Sequence, residues 1–460
     1  MVDRLTAMDA SFLYLEDPDA PLHVGGVLLL DPPAGGLDAL AALVVARLPL
    51  VPRYRQRVVE VPGRLADPVW ADDPDFDVDY HVRQSALPRL GTEEQLFDLV
   101  SRLTSRPLDH RRPLWELYLV EGLREGRVAV ITKTHPALVD GLGAVDIAQV
   151  LLDVAPDATA PAVEPWRPRR VPGGIELVRT ALTEYVQRPT AAVEALRQVV
   201  GDPRSTLARL GGVTTGVLRA ARSAVFPAPP SPLNSTSGRQ RRVVVARADL
   251  EDLKLVRRAS GGTINDVLLT VVTGALRDWL LSRGAAVVAS TSVRALVPLS
   301  VQGDEQEDPG SRVASYLVDL PVGEPNPRVR LARLSYTMRG VARSDRSVGA
   351  DALIALTGFA PPTLHALGAR AARGLSRRMF NLVITNVPGP QVPLYAAGAR
   401  MREVFPVVPL VRGQGLTIGM TSYDGRVYIC LNADRETVGD VDLLADLIEQ
   451  ETAELVEASR

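Results

Sequence analysis

The amino-acid sequence predicts an α/β fold that is divided into two domains of similar size. The chain has 460 residues, which is more than one compact domain usually contains. It is 46% hydrophobic and 23% charged, so it can bury a substantial core and is not disordered as a whole. Strand-like and helix-like stretches alternate on both sides of a proline-rich central segment.

The first predicted domain covers residues 1–154. Its predicted elements are a strand over 23–31, a helix over 36–48, a strand pair over 114–123 and 126–135 that turns at Gly126, and a helix over 141–154. The first helix follows from apolar residues spaced i, i+3 and i+4, and the strands follow from short apolar runs. Asp140 is placed to cap the helix that follows it.

Residues 155–238 are predicted as a linker that contains amphipathic helices. Residues 155–174 and 226–238 are rich in proline, which favours irregular structure. Between them, residues 174–226 have a helical pattern with seven arginines and four acids, a formal net charge of +3. Arginine-rich amphipathic helices can lie in a membrane interface. The alternative is that they cover the linker between the domains.

The second predicted domain covers residues 239–460. A strand at 241–250 and a helix at 263–284 open it, and Thr263 is the predicted N-cap of that helix. The later elements are strands over 293–299, 314–320, 381–387, 416–421 and 426–432 and a closing helix over 441–459. Both halves are therefore mixed α/β, which leaves open whether they are two copies of one fold.

Charge and cysteine content narrow the function classes. The formal net charge is −2, which argues against a dedicated nucleic-acid-binding protein. Cys430 is the only cysteine, so no intrachain disulfide can form and we expect a cytoplasmic protein. The first residues lack the apolar stretch of a signal peptide, and we find no run of about 18 apolar residues that would span a membrane.

The segment KTHPALVDG, residues 133–141, combines His135, Asp140 and Gly141 at a predicted strand end. A histidine there can take a proton from a hydroxyl, the acid can hold the loop, and the glycine lets a substrate approach closely. An ordinary helix start beside a surface histidine explains the same residues. For the segment in isolation, this second interpretation is favoured.

Several further segments decide the context. In chain order they are MDASFLYLEDPDAPLHVGG (8–26), PVWADDPDFDVDYHVR (68–83), PLDHRRPLWELYLVEGL (107–123), KTHPALVDG (133–141), GGTINDVLL (261–269) and NLVITNVPGP (381–390). Each is weak alone, but in this order they are specific. The chain resembles the bacterial wax ester synthase/diacylglycerol acyltransferase family over essentially its whole length.

The resemblance implies two chloramphenicol-acetyltransferase-like domains with a substrate tunnel between them. It implies acyl-CoA as the donor and diacylglycerol or a long-chain alcohol as the acceptor. Such apolar substrates favour peripheral contact with the inner membrane face or with lipid droplets. No metal or other cofactor is expected, and the five histidines and one cysteine form no ligand cluster in the sequence.

The resemblance also exposes a departure. The family motif is H-H-x-x-x-D-G, and its second histidine is the general base. Aligned on ALVDG, His135 takes the first histidine position and Pro136 the second. Proline accepts no proton and favours an extended conformation of the residue before it, so we expect His135 to face away from the base position. His135, Asp140 and Gly141 are the expected catalytic residues, His135 only after a rearrangement.

The other histidines offer no obvious replacement base. None of them is followed by a suitably spaced acid and glycine; they are His23, His81, His110 and His365. His110 lies in a polar loop, where we expect it to be solvated rather than catalytic.

The resemblance places four further residues at the substrate site: Trp115, Asn265, Asp266 and Asn386. Each has an alternative. Trp115 can be a core residue, Asn265 and Asp266 can cap the helix after Thr263, and Asn386 can serve a turn. In addition, Gln302 and the segment 310–312 depart from the family pattern. Three functions stay open: an O-acyltransferase for triacylglycerol or wax ester, a non-catalytic lipid- or acyl-CoA-binding relative, and an acyltransferase for another acceptor.

Overall fold

The helices and strands follow the predicted α/β order. A computed structural model describes residues 3–139, 147–158, 166–187, 227–234, 238–301, 312–343 and 379–460. The strands in these ranges are β1 (Asp3–Arg4), β2 (Val24–Leu30), β3 (Gln56–Val59), β4 (Val69–Asp72), β5 (Val82–Ala86), β6 (Trp115–Glu121), β7 (Val128–Thr134), β8 (Arg241–Asp249), β9 (Val293–Val301), β10 (Arg312–Leu320), β11 (Leu382–Pro388), β12 (Tyr395–Ala396), β13 (Ala399–Val407), β14 (Leu416–Tyr423) and β15 (Arg426–Asp434). The helices are α1 (Ala7–Leu15), α2 (Gly36–Arg47), α3 (Val78–His81), α4 (Glu93–Thr104), α5 (Pro136–Val139), α6 (Ile147–Leu151), α7 (Gly174–Gln187), α8 (Leu250–Ser260), α9 (Ile264–Ser282), α10 (Pro327–Arg343) and α11 (Val441–Ser459).

One six-stranded sheet has the order β12-β13-β2-β7-β6-β5. β2, β7 and β6 are antiparallel neighbours, and β5 runs parallel to β6. Strand β13 pairs antiparallel with β2, although it belongs to the second half of the chain. Both halves therefore contribute strands to this sheet, and their separation in sequence is not a separation of sheets.

The other six-stranded sheet has the order β10-β9-β11-β14-β15-β8. Its central strand β11 is parallel to both of its neighbours, while the remaining pairs are antiparallel. Helices α9 and α11 pack against each other beside this sheet; α11 is buried along one side, and α9 is buried on all sides from Asp266 to Leu276. The sheet and its helices bury a second apolar core, distinct from that of the first sheet. A small sheet of β1, β4 and β3 completes the described strands.

Direct hydrogen bonds join helix α4 of the first half to strand β8 of the second. The backbone N–H of Val243 donates to Ser101 Oγ at 2.8 Å, and that of Arg241 donates to Ser105 Oγ at 2.9 Å. Arg247 on β8 pairs with Glu93 on α4 and with Glu403 on β13. These contacts tie α4, β8 and β13 together where the two halves meet.

Residues 166–187 of the predicted linker pack on the first half of the chain, whereas Leu233, near the end of the linker, is buried in the core of the second half. In α7, Leu177 and Ala181 are buried against Val61 and Val69. Ahead of the helix, the Trp166 ring lies edge-on to Phe76, with 5.9 Å between the ring centroids. The predicted helical pattern is thus a helix through Gln187, and its continuation to 226 lies outside the described residues.

Candidate active site

The loop after β7 begins at His135, and its backbone continues the strand ladder. The N–H of His135 donates to Leu114 O at 2.9 Å. Pro136 then takes the first position of α5, where a missing N–H costs no helical hydrogen bond. The N–H of Ala137 donates to His135 Nδ1 at 3.1 Å. His135 therefore satisfies a free N–H at the start of α5, as an N-cap side chain does.

The imidazole of His135 is fully buried, with 0% exposure. Its Nδ1 accepts a hydrogen bond, so in the neutral ring the proton lies on Nε2. That nitrogen is 3.8 Å from Glu16 Oε2 and has no hydrogen-bond partner among the described residues. Burial lowers the pKa of His135 to about 4, and the charge of Glu16 only partly offsets this. His135 is thus a neutral and weak base.

Glu16 connects His135 to His110. His110 Nε2 lies 2.5 Å from Glu16 Oε2, and Glu16 Oε1 accepts from the N–H of Leu22 at 3.1 Å. The hydrogen bond with Glu16 raises the pKa of His110. Burial alone would raise the pKa of Glu16, but His110 and His135 lower it. The rings of His110 and His135 are 5.8 Å apart, so His110 lies beside the motif loop, and its own side chain is exposed to solvent, as expected.

Glu16, His110 and His135 are also the group that could hold a metal ion among the described residues. Their ligand atoms lie within 4.8 Å of one another, a cluster that the sequence did not reveal. However, a metal-bound histidine donates from its other ring nitrogen, whereas His135 accepts there from Ala137. His110 Nε2 and Glu16 Oε2 are 2.5 Å apart, which is the separation of two hydrogen-bonded atoms and is shorter than that of two ligands bound to one metal ion. The arrangement fits a hydrogen-bonded group.

Two of the expected catalytic residues, Asp140 and Gly141, lie outside the described residues, as do Gln302 and residues 310–311. Their predicted roles stay predictions.

Trp115 lies in the core of the first sheet and is 1% exposed. Its Nε1 donates to Tyr54 O at 2.7 Å, and its ring stacks on His81 with 4.7 Å between the centroids. His81 is itself buried between Trp115 and Phe76, and burial lowers its pKa to about 4. This placement favours the core interpretation of Trp115.

The three polar residues of the second half are close together. Asn386 Nδ2 donates to Asn265 Oδ1 at 3.3 Å, which joins the end of β11 to the start of α9. Asp266 is buried and forms a capping box with Thr263. It also accepts from Ser335 Oγ at 3.1 Å. Thr263 is therefore confirmed as the N-cap, and Asp266 has a capping role whatever else it does.

Both halves of the chain match domains of one protein family. Residues 5–268 match the wax ester synthase/diacylglycerol acyltransferase catalytic domain, and residues 309–456 match the WS/DGAT C-terminal domain. The chain belongs to the wax ester synthase/diacylglycerol acyltransferase family.

Curated relatives carry acyltransferase names. "Probable diacyglycerol O-acyltransferase tgs3" of Mycobacterium tuberculosis is 47% identical over 260 residues, 56% of this chain and 96% of the relative. "Probable diacyglycerol O-acyltransferase tgs2" of the same species is 33% identical over 473 residues and covers 99% of both chains. The similarity to curated members of the wax ester synthase/diacylglycerol acyltransferase family therefore extends over the whole length of this chain.

Solved structures confirm the fold class. The wax ester synthase/diacylglycerol acyltransferase from Marinobacter aquaeolei VT8 has a TM-score of 0.69 at 27% identity and covers 99% of both chains. The first condensation domain of the calcium-dependent antibiotic synthetase has a TM-score of 0.57 at 17% identity, covering 100% of this chain and 96% of that one, which concerns the fold alone. The predicted α/β architecture of two chloramphenicol-acetyltransferase-like domains is confirmed. Across the part of the chain that the structure describes, no helix is both long and apolar enough to cross a membrane.

Sequence reasoning passed over Glu16, although it lies inside a quoted family segment. Nothing in its spacing links it to His135, which is 119 positions later. The one signal in the sequence is the run Glu16-Asp17-Pro18, two acids and a proline directly after an apolar helix. Such a pattern is common in turns.

Proposed function

We propose that this chain transfers a long-chain fatty acyl group from acyl-CoA to the hydroxyl of a diacylglycerol or a long-chain alcohol. The products are triacylglycerol or wax ester, and free CoA. The family match over both halves supports this reaction class, and the names of the curated relatives support diacylglycerol as an acceptor. Acyl-CoA acts as a co-substrate, and no resident cofactor takes part.

Turnover is weaker than a complete motif would give, because Pro136 occupies the general-base position. The observation that carries this step is the state of His135. Its Nδ1 accepts from Ala137, its Nε2 faces Glu16, and the ring is 0% exposed. General acid–base catalysis supplies about 10²–10⁴-fold of rate. Holding two substrates in place supplies several further powers of ten, so a reduced activity survives.

Asn265, Asp266 and Asn386 border the acceptor and donor path, while Asp140 and Gly141 shape the loop after His135. The observations that support these roles differ between the two groups of residues. The contact between Asn265 and Asn386 brings two predicted site residues together across the sheet and helix of the second half. For Asp140 and Gly141 the support is the match of ALVDG to the family motif.

The second candidate is a non-catalytic relative that binds lipid or acyl-CoA. Pro136 favours it, because the residue cannot accept a proton. Transfer to another acceptor, such as an amine or a different hydroxyl, is the third. An assay of free CoA release and of the acylated product, ester or amide, with several acceptors separates all three.

The deciding experiment measures ester formed from palmitoyl-CoA with hexadecanol and, separately, with a diacylglycerol. The unaltered protein is compared with Pro136→His and His135→Ala. We expect slow ester formation by the unaltered protein and an increase of at least tenfold in Pro136→His. No ester from the unaltered protein with either acceptor would contradict the proposed reaction. Equal rates for the unaltered protein and Pro136→His would contradict the weakening by Pro136.

The chain works at the surface of the inner membrane or of lipid droplets, where its acceptors collect. Helix α7 supports this, because Ile175 and Leu182 lie seven positions apart on one face and are 89% and 54% exposed. Exposed arginines precede the helix and can contact anionic lipid: Arg167, Arg169 and Arg170.

A further inference from the structure

We propose that His110, oriented by Glu16, is the general base of this chain and replaces the histidine that Pro136 removes. The inference rests on the proposed acyl transfer and names a residue for it. In this assignment His110 is a catalytic residue, because it takes the proton of the acceptor hydroxyl. Glu16 is a positioning residue, because it acts through His110.

The geometry of the pair is that of a base held by a carboxylate. His110 Nε2 donates to Glu16 Oε2 at 2.5 Å. This contact fixes the proton on Nε2 and leaves the lone pair of Nδ1 for a substrate. The pairing of an imidazole with a carboxylate is the arrangement that orients the base and stabilises the imidazolium in hydrolytic triads.

Glu16 is well placed to hold the ring. It follows helix α1, and its own N–H donates to Phe12 O at 3.1 Å. Its Oε1 accepts from the N–H of Leu22, so one carboxylate oxygen is bound to backbone and the other to His110. The side chain is only 9% exposed, which keeps this orientation against competition from water.

Accessibility separates His110 from His135. The side chain of His110 is 44% exposed, whereas that of His135 is 0% exposed. A hydroxyl group can therefore reach His110 but not His135. The two rings are nevertheless only 5.8 Å apart. His110 precedes β6, and His135 follows β7, so the antiparallel pairing of these strands places both at the same end of the sheet.

The step balances without a further reactant. His110 Nδ1 takes the proton of the acceptor hydroxyl while the acceptor oxygen bonds to the thioester carbonyl carbon of acyl-CoA. The carbon–sulfur bond then breaks, and the CoA sulfur leaves with the proton that His110 returns. The products are the ester and free CoA, and His110 is neutral again.

The charges around His110 set the pH range of this base. The hydrogen bond with Glu16 raises its pKa above the usual value, and the charges of Glu16, Asp109 and Glu60 add to this. His135 stays neutral and adds no opposing charge, because burial lowers its pKa to about 4. Activity requires neutral His110, so the rate falls as the pH drops through a pKa above 6.5. This fall in rate is the acidic limb of the pH–rate profile. Removing the negative charge of Glu16 should lower the pKa of His110 and so move the acidic limb to lower pH.

The test measures ester formation as a function of pH for the unaltered protein, His110→Ala and Glu16→Gln. We expect a loss of at least tenfold in His110→Ala, and in Glu16→Gln a slower rate with the acidic limb shifted to lower pH. The matched control is Arg111→Ala, since Arg111 is the exposed neighbour of His110 and pairs with Asp109. Thermal unfolding of each variant shows which of them fold.

A rescue variant tests whether a loss of activity in His110→Ala comes from the missing base or from misfolding. In the double variant Pro136→His with His110→Ala, the new histidine supplies a base, so we expect ester formation to return. Unchanged activity in His110→Ala, or an unshifted acidic limb in Glu16→Gln, would overturn the assignment. So would activity that a chelator removes and Zn²⁺ restores, because the cluster would then be a metal site. If the unaltered protein forms no ester with any acceptor, that result would instead contradict the proposed function itself.

Discussion

Asn386 donates a hydrogen bond from Nδ2 to Oδ1 of Asn265 at 3.3 Å, although the two residues are 121 positions apart. The contact joins the end of β11 to the first turn of α9. Both side chains are half-buried, so each keeps polar atoms for another partner. The sequence predicted each of the two residues as a substrate-site residue but did not predict the contact between them.

The pair gives a first prediction. Asn265→Ala and Asn386→Ala should each lower kcat/KM for ester formation by about fivefold, since a neutral hydrogen bond contributes about 1 kcal/mol. The double variant should lose less than the product of the two effects, because both single changes break the same contact. Val387→Ala is the matched control, as Val387 is the exposed neighbour of Asn386. Fully independent effects would show that the residues do not act as a pair.

Asp266 has two interpretations that stability and activity can separate. It accepts from the Thr263 N–H at 2.9 Å and from Ser335 Oγ at 3.1 Å. Asp266→Ala should therefore lower the free energy of unfolding by about 1–2 kcal/mol, and Thr263→Ala by a similar amount. Denaturant unfolding gives the stability, and ester formation per folded molecule gives the activity. If only Asp266→Ala loses activity, Asp266 also belongs to the site; if the two variants behave alike, it is a cap.

The sequence predicted long periodic elements well. The helices over 263–284 and 441–459 appear as α9 and α11, because a continuous apolar face needs a partner to bury it. It passed over α4, which has polar residues between its apolar positions, and α10, which is rich in arginine. Both helices are stabilised by packing against other elements, which local propensity does not reveal.

The site was predictable only where a motif is contiguous. His135 and Pro136 stand next to each other, so their relation could be stated from the sequence. The pairing of Glu16 with His110 depends on the residue after α1 lying beside the loop before β6, and no spacing in the sequence encodes that contact. For the same reason the sequence did not predict that β13 leaves the second half to pair with β2.

The close packing around Gly274 predicts that a substitution there destabilises the protein by disturbing a buried ion pair. A Cβ at this position would lie 1.8 Å from Arg330 Nη1 and 2.1 Å from Glu451 Oε2, which are themselves 3.1 Å apart. Gly274→Ala should therefore separate a buried pair and lower the free energy of unfolding by about 3–5 kcal/mol. Gly340→Ala is the control, because Gly340 is exposed in α10 and has no heavy atom near its would-be Cβ. A loss in Gly274→Ala no larger than in Gly340→Ala would refute this account.

Buried histidines predict how stability depends on pH. Burial lowers the pKa of His81 and of His135 to about 4, from 6.5 in the unfolded chain. Below pH 6.5 the unfolded state therefore binds protons that the folded state does not, and stability falls as the pH drops from 6.5 towards 4. Each histidine contributes up to about 1.4 kcal/mol per pH unit in this window. His110 acts in the opposite direction, because its pKa is raised.

The measurement is denaturant unfolding of the unaltered protein and of His81→Phe at pH 7, 6 and 5. Phenylalanine preserves the stacking between Phe76 and Trp115 but cannot be protonated. The variant should be less stable at pH 7, because the contact of His81 Nδ1 with Trp115 O at 2.7 Å is lost. Its stability should also fall less steeply towards pH 5. Parallel pH profiles for the two proteins would show that His81 is not the titrating group.

Helix α7 predicts binding to lipid. Its inner face, with Leu177 and Ala181, is buried, while Ile175 and Leu182 project outward at 89% and 54% exposure. Ile175→Glu with Leu182→Glu should reduce co-sedimentation with vesicles of anionic phospholipid by at least tenfold. Two apolar contacts are lost, and two negative charges are brought near the lipid. The control is Val288→Glu, since Val288 is 60% exposed outside α7. Equal binding by the α7 variant and the control would place the lipid-binding surface elsewhere, and loss of binding in both would indicate a general charge effect.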